Sequence, residues 1–399
     1  TTQFASITAS LCQPTIMQRA VRTCLMRGGS SKGVFLQAKD LPPAGALRDE
    51  VILRIFGSPD KRQIDGLGGA DVLTSKLAII GPPSIEGADV DYTFGQVSFV
   101  AKTVDYGGNC GNISSAVGPF AVDEGLLRDL KRDASGRVTV RIHNTNTGAI
   151  LQAEVPVNEQ LEAEVEGDVA VAGVPGTGAG VALDFSKTEG SVTGKLLPSG
   201  QRTDLLECEG FPNPIEATLL DAGQPTVFLR GSDFFEKNIA SCPKKMAEAL
   251  DEPTLRRVEV VRGAAAVKMG IVKTWKEAEE KSPYTPFVVF VSKPSADQPW
   301  DLTATCVFMQ QVHKAYPVTG SIATTAAALL SGTTANEASK KPSGALRIGH
   351  PSGIMEVDGA VEDDGKNPTL ARAALERTAR RLMDGNAYIP WSVWPKSAL

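Results

Sequence analysis

Residues Asp105–Asp123, DYGGNCGNISSAVGPFAVD, decide how the rest of this 399-residue chain is read. An apolar, β-rich run from Val97 to Val104 leads into Gly107-Gly108-Asn109-Cys110-Gly111-Asn112. Small and apolar residues then recur at Ile113, Ala116, Val117, Phe120 and Ala121, the pattern of a helix buried on most sides. The expectation is a strand, a tight glycine turn, and a buried helix capped by Asn112 or Ser114. Glycine lets the backbone turn sharply and keeps bulk away from whatever faces it. Cys110 then lies among the open amides of a helix N-terminus, where partial positive charge favours thiolate and attracts carboxylates. A lone cysteine is more often a small buried hydrophobe. Its Gly-Gly-Asn and Gly-Asn frame, at a strand-to-helix turn, moves the reading toward chemistry and makes Gly108, Asn109, Gly111 and Asn112 candidate binding residues.

The composition, 42% hydrophobic and 22% charged with 39 glycines, is that of a turn-rich globular protein long enough for two domains. A net charge of −5 without a basic stripe argues against a nucleic-acid partner. Mild acidity leaves anionic substrates open, because a pocket's local field can oppose the net charge. No apolar run approaches membrane-spanning length. The start, Thr1 to Gln18, lacks both a secretory core and an Arg-rich amphipathic pattern, so the cytoplasm is the expected location. Six cysteines (Cys12, Cys24, Cys110, Cys208, Cys242, Cys306) form no CxxC pair, against both zinc and a disulfide framework. With only His143, His313 and His350, a multi-histidine metal site would need nearly every histidine, and no metal or cofactor is expected.

Val21–Met26 and Val34–Gln37 read as a hairpin around Arg27-Gly-Gly-Ser-Ser-Lys-Gly33. Arg27, Ser30, Ser31 and Lys32 place four donor side chains within six residues, either a plain β-turn or a carboxylate cradle. Ala46–Phe56 has the spacing of an amphipathic helix. Val72–Ile80 reads as a strand whose apolar run is broken by Thr74, Ser75 and Lys76. A lysine in a buried strand is expensive unless paired or titrated down. On an edge strand it would point to water, and alternation, with Thr74, Lys76 and Ala78 on one face, permits both.

Arg137–Ile142 and Ala149–Val155 pair as strands around a polar turn, and the polar stretch Ser186–Gly200 marks a boundary. Pro214–Leu220, Pro225–Leu229, Phe287–Ser292 and Leu302–Val312 read as strands, and Ser241–Leu250 and Pro253–Lys268 as helices. VFLRGSDFF, around Arg230, echoes the first hairpin. Val312 to Ser321 then feeds a small-residue helix, Ile322–Leu330, with Thr319 or Ser321 able to cap it. Two strand–turn–buried-helix units suggest a duplicated architecture with two helix N-termini converging on one cleft. That adds Thr319, Gly320, Ser321 and Ile322 to the binding candidates, with His313 nearby. Asn367–Met383 is expected to be an amphipathic helix on the strength of Leu370, Ala374, Leu375, Ala379 and Leu382.

GGNCGNISSAVGPFAVDEGL, with MRGGSSKGVFL (26–36), GGADVLTSKLAII (68–80) and VHKAYPVTGSIATTAAALLSGTTAN (312–336) in the same order, resembles the PrpF and methylitaconate isomerase family, which includes aconitate Δ-isomerases. The resemblance covers most of the chain. It implies an α+β fold of two pseudo-symmetric diaminopimelate-epimerase-like domains, each a curved, mostly antiparallel sheet or barrel around a central helix. The expected domains are 1–190 and 191–383, with a tail, 384–399, packing back on the first and the active site in the cleft between them. The resemblance makes Lys76 the active-site lysine opposite Cys110, turns the loop of Arg27, Ser30 and Ser31 toward the substrate, and gives His313 a functional role.

Epimerases of this fold take one cysteine from each half. Here no cysteine follows Cys306, and Ser321, Ala323, Thr324 and Thr325 fill the second helix start, which argues against two-cysteine racemisation. The expectation is a cofactor-free isomerase that moves a C=C bond in a small unsaturated di- or tricarboxylate by a 1,3-proton shift. Aconitate is the first expected substrate, with methylitaconate and 4-oxalomesaconate as rivals. A non-catalytic aconitate-binding accessory protein is the reading from another class, and a homodimer is left open.

Overall fold

In the computed structural model, which describes residues 17–340 and 345–396, the first half of the chain wraps strands around one helix. Cys12 and most of the polar start lie outside the described residues. Strands β1 (Gln18–Gly28) and β2 (Ser31–Gln37) form the expected hairpin, and helix α1 (Ala46–Phe56) follows. Then come β3 (Lys76–Gly81), β4 (Val90–Val97), helix α2 (Gly111–Asp123), β5 (Arg137–Asn144), β6 (Ile150–Pro156) and β7 (Gly180–Asp184). Residues Gly111 to Val122 of α2 are all buried, so this helix is the core the strands enclose. On β2 and β3, Phe35, Ala78 and Ile80 face α2, while Val34, Leu36, Leu77 and Ile79 pack outward with Val51, Ile52 and Phe56 of α1. Both faces of these strands are covered, which explains their near-continuous apolar runs.

The second half repeats the order. Its elements are β8 (Ile215–Ala222), β9 (Gln224–Arg230), helix α3 (Glu252–Lys268), β10 (Phe287–Ser292), β11 (Leu302–Phe308), helix α4 (Val318–Leu329), β12 (Leu346–His350) and β13 (Gly353–Glu362). Neighbouring strands pair antiparallel, parallel, antiparallel, parallel, antiparallel along β1–β2–β3–β4–β5–β6. The series recurs along β8–β9–β10–β11–β12–β13. This shared pattern of pairing is the duplication, and the architecture is α+β.

The largest departure from expectation is at the C-terminal end. Asn367–Met383 is not a helix: Thr369–Pro390 forms one long strand, β14. It pairs first with β13, then with β7 over 374–378, and finally with β1 over 379–390. Together with the β6–β7 pairing, this closes the first set of strands into a barrel. The Ala-, Leu- and Arg-rich sequence has good helix propensity. Open edges on both sides supply a backbone partner at nearly every residue, and that tertiary demand outweighs a local preference. Buried Ala373, Leu375, Arg377 and Ala379 show the strand's alternation.

Smaller departures share a physical cause, local side-chain bonding that ends or delays an element. The apolar run Val97–Val104 is not a strand; β4 ends at Val97, and the Ser98 hydroxyl accepts from the amides of Val100 and Ala101 to make a turn. The strand predicted from Val72 begins only at Lys76, because the Asp71 carboxylate accepts from Leu73 N–H and folds 71–74 into a turn. Neither α2 nor α4 has a side-chain cap. Ser114 and Ser321 turn their hydroxyls back onto the carbonyls of Cys110 and Val318 instead. The counterpart of the first hairpin turn is Gly223, between β8 and β9, rather than the Arg230 segment, which ends β9 and enters a short 3-10 turn.

Candidate active site

Lys76 is the first residue of β3, a strand with partners on both sides, so the edge-strand reading fails. Its side chain shares a face with Ala78 and Ile80, turns toward α2, and is 2% exposed. Gly33 lies opposite in the register, and a Cβ there would come within 3.0 Å of the Lys76 carbonyl. On the other side Gln96 faces it, and Lys76 Nζ donates to Gln96 Oε1 at 3.1 Å. Gln96 is fixed in turn by donating from Nε2 to the Ser75 carbonyl at 3.0 Å. Among the described residues, Lys76 has no carboxylate partner; the Phe94 and Phe308 rings lie 5.3 and 5.9 Å from its ammonium nitrogen.

Cys110 is the N-cap residue of α2, in an extended conformation and 5% exposed. Because no side chain caps this helix, its first amides are not consumed by intrahelical bonds or by a capping oxygen. The same holds for α4, whose N-cap position is Pro317. The two helix starts meet: a Cβ on Gly111 would lie 2.5 Å from Val318 Cγ1. The loop before Cys110 is held from the second half of the chain. Tyr284 OH donates to the Asn109 carbonyl at 3.0 Å, and Thr285 Oγ1 to the Gly107 carbonyl at 3.3 Å. A side chain on Gly108 would strike the Tyr284 ring at 2.6 Å. Asn109 spends its side-chain oxygen accepting from Ser114 Oγ at 3.2 Å.

His313 lies on the same cavity, packed against the Phe308 ring at 5.3 Å. Its Nδ1 accepts from Ala315 N–H at 3.1 Å, so the neutral ring carries its proton on Nε2. Burial first, and the nearby Lys76 charge second, push its pKa down to about 3. At neutral pH His313 is therefore a hydrogen-bond donor rather than a proton acceptor. Next to it Lys314 forms an ion pair with Asp71, tying the turn before Lys76 to the second half.

Lys76, Cys110, Gly111, Asn112, His313 and Thr319 thus line one cavity, with Tyr284, Phe287, Phe308, Pro317 and Val318. Gly320, Ser321 and Ile322 stand behind it in α4. Ser30 lines a separate, larger cavity that shares Asn112. Ser31 is 2% exposed and its hydroxyl has no hydrogen-bond partner among the described residues. Arg27 lines neither cavity; its Nη1 donates to the carbonyls of Gly29 and Thr378, at 3.0 and 2.8 Å, and pins the hairpin turn to β14. Among the described residues, no cluster of three or more His, Cys, Asp or Glu is placed to hold a metal.

Sequence reasoning missed the aromatic wall of Tyr284, Phe287 and Phe308, whose ring centroids lie 5.3 to 5.9 Å apart. The signal was the internal repeat. Phe287 opens β10 opposite Thr226 just as Lys76 opens β3 opposite Gly33. Phe308, one step on from the Val307–Val288 pair, stands where Gln96 stands in the first half. Pro317 stands where Cys110 does. Lys76 and Cys110 belong to one half, and the other presents to them the Tyr284, Phe287 and Phe308 rings, packed edge to face, together with His313.

The PrpF protein family pattern matches residues 18–390. Among curated relatives, the chain is 44% identical to 3-methylitaconate isomerase of Eubacterium barkeri, over 93% of this chain and 98% of that protein. It is 35% identical to 2-methyl-aconitate isomerase of Shewanella oneidensis, over 94% and 98%. A crystal structure of methylitaconate-delta-isomerase superposes with a TM-score of 0.75 at 43% identity, covering 95% of this chain and 97% of that one. A hydroxyproline epimerase from Agrobacterium vitis, at 11% identity and a TM-score of 0.55 over 95% and 98%, shares the fold. This chain, matched along nearly its whole described length, belongs to the PrpF family and is an isomerase.

Proposed function

We propose that the chain shifts a C=C bond in a small unsaturated dicarboxylate by a 1,3-proton transfer. The observation that carries this reading is Lys76 and Cys110 on one buried cavity with two uncapped helix N-termini. Lys76, as the neutral amine, takes the allylic proton from the carbon α to a carboxylate and becomes an ammonium, and the electron pair becomes a dienolate. The helix amides and the Nε2 proton of His313 stabilise its charge. Cys110 delivers a proton to the γ-carbon, the double bond closes between the α- and β-carbons, and proton exchange between the two groups resets them. No oxidant, reductant or water is consumed.

The second helix start, at Pro317, carries no thiol to match Cys110, which supports an allylic shift over two-cysteine epimerisation. Two helix starts can hold two carboxylates, and the Tyr284–Phe287–Phe308 wall suits a methyl group. A methylitaconate-like diacid therefore moves ahead of aconitate, whose third carboxylate needs another donor. Similarity to 3-methylitaconate isomerase points the same way. The same reading treats 1–190 and 191–383 as the working halves, with 384–399 returning to the first. Proton NMR in D2O with methylitaconate, aconitate and 4-oxalomesaconate tests it. Turnover with deuterium at the γ-carbon of the diacid is expected; binding of these acids without exchange or isomerisation would leave the accessory-protein reading in its place.

A further inference from the structure

The cavity holding Lys76 and Cys110 is only about 10 Å³, room for a single water, so a substrate must draw on the neighbouring space. Beside it, and sharing Asn112, lies a cavity of about 560 Å³. The two cavities meet at Asn112, in the first turn of α2, whose Oδ1 accepts from the Ser30 amide of the hairpin turn at 3.4 Å. Arg377 of β14 lines the larger cavity and is 6% exposed. Its Nη1 donates to the Glu376 carbonyl at 2.7 Å, while Nε and Nη2 have no hydrogen-bond partner among the described residues. No carboxylate of the described residues forms an ion pair with it.

An uncompensated buried guanidinium is costly, and its fork matches a carboxylate with two parallel N–H bonds. His350 is close enough for the Arg377 charge to weigh on it. Burial, and that charge after it, push the His350 pKa down to about 4. Its Nδ1 accepts from Ser352 N–H at 3.3 Å, which leaves a proton on Nε2, itself buried and unpartnered among the described residues. Glu356, Asp358 and Glu376 also line the cavity, but they are exposed or half-buried. An anion is therefore favoured only at the deep end. The strand that carries Arg377 is fixed to the hairpin: the Thr378 carbonyl accepts from Gly29 N–H at 2.9 Å and from Arg27.

We propose that Arg377 is a carboxylate anchor, and that it holds the substrate carboxylate remote from the carbons that exchange protons. This inference rests on the dicarboxylate reading above. It adds a named cation, on the strand that joins the two halves, to the helix starts at Cys110 and Pro317. It also makes the chain select diacids over monoacids.

Titration calorimetry on the full chain, with methylsuccinate and butyrate as saturated probes, tests it. The parent is expected to prefer the diacid. Arg377→Gln should weaken methylsuccinate binding by about 10- to 100-fold and butyrate by less than about threefold. Unchanged methylsuccinate affinity, or equal weakening of both acids, overturns the anchor. If Arg377→Gln fails to fold, Arg377→Lys carries the test. Its ammonium lacks the two-pronged geometry, so an unchanged diacid-to-monoacid ratio overturns the proposal. The two readings fail separately. A parent that binds diacids through Arg377 but turns nothing over keeps the anchor and loses the reaction. A parent that isomerises, with Arg377→Gln leaving KM unchanged, does the reverse.

Discussion

At the residue scale, the pseudo-symmetry assigns chemistry by difference. Phe287, Phe308 and Pro317 occupy in the second half the positions of Lys76, Gln96 and Cys110 in the first, so the groups proposed to react have no duplicates to replace them. Lys76→Met should reduce kcat by about 10³-fold or more, since burial and the nearby charge lower the His313 pKa to about 3 and leave that ring too weak a base to replace the lysine. Cys110→Ser keeps a hydroxyl of similar shape that titrates poorly, and should lose about 10²-fold. Combined, they should cost little more than Lys76→Met alone, because groups that act on one proton path are not additive. Single-turnover NMR rates give the comparison. Near-parental kcat in Lys76→Met would reassign the lysine to carboxylate binding.

At the scale of elements, the approach of α2 to α4 sets the site's geometry. Gly111 makes it possible: an added Cβ would meet Val318 Cγ1 at 2.5 Å and the Phe185 ring at 3.1 Å. Gly111→Ala should therefore destabilise the protein by about 1–3 kcal/mol and lower kcat/KM, because the helix amides would move apart. Val318→Ala in the same chain removes the methyl group at 2.5 Å but keeps the Cβ at 2.7 Å, so it should recover only part of that loss. Urea denaturation of the single and double variants measures this; a double variant no more stable than Gly111→Ala would place the strain elsewhere.

At the scale of the whole molecule, two buried neutral histidines lie near the seam between the halves, and they make the fold sensitive to acid. His313 and His350 protonate near 3 and 4 in the folded chain, against 6.5 when free. Below about pH 6.5 the unfolded chain therefore binds protons that the folded chain refuses. Their stabilisation is complete above that pH and is lost as pH falls toward 4. Each histidine could account for at most about 2–3 kcal/mol between pH 6.5 and 4.5. Half-buried Asp105 and buried Asp221, whose carboxyl pKa values burial raises, act in the opposite sense. The useful comparison is thus parent against His313→Gln/His350→Gln. The urea midpoint of the double variant should fall less between pH 7 and 4.5; an equal fall would show that other groups govern the acid limb.

Short-range chemistry was legible in the chain itself. Gly-Gly-Asn-Cys-Gly-Asn before a small-residue run marked a buried helix with a cysteine at its start, and the same pattern near Pro317 marked the second. Those features depend on neighbours a few residues apart, where backbone sterics and side-chain volume act directly. Which way Lys76 points, whether Thr369–Pro390 coils or extends, and what Arg377 faces depend on partners hundreds of residues away. A lysine in an apolar run reads the same on an edge strand and on a central one, and only the pairing of β3 with both β2 and β4 turned it inward. An Ala- and Leu-rich segment prefers a helix in isolation, but open strand edges offer its backbone groups partners in succession along its length, and it becomes the strand that closes the barrel.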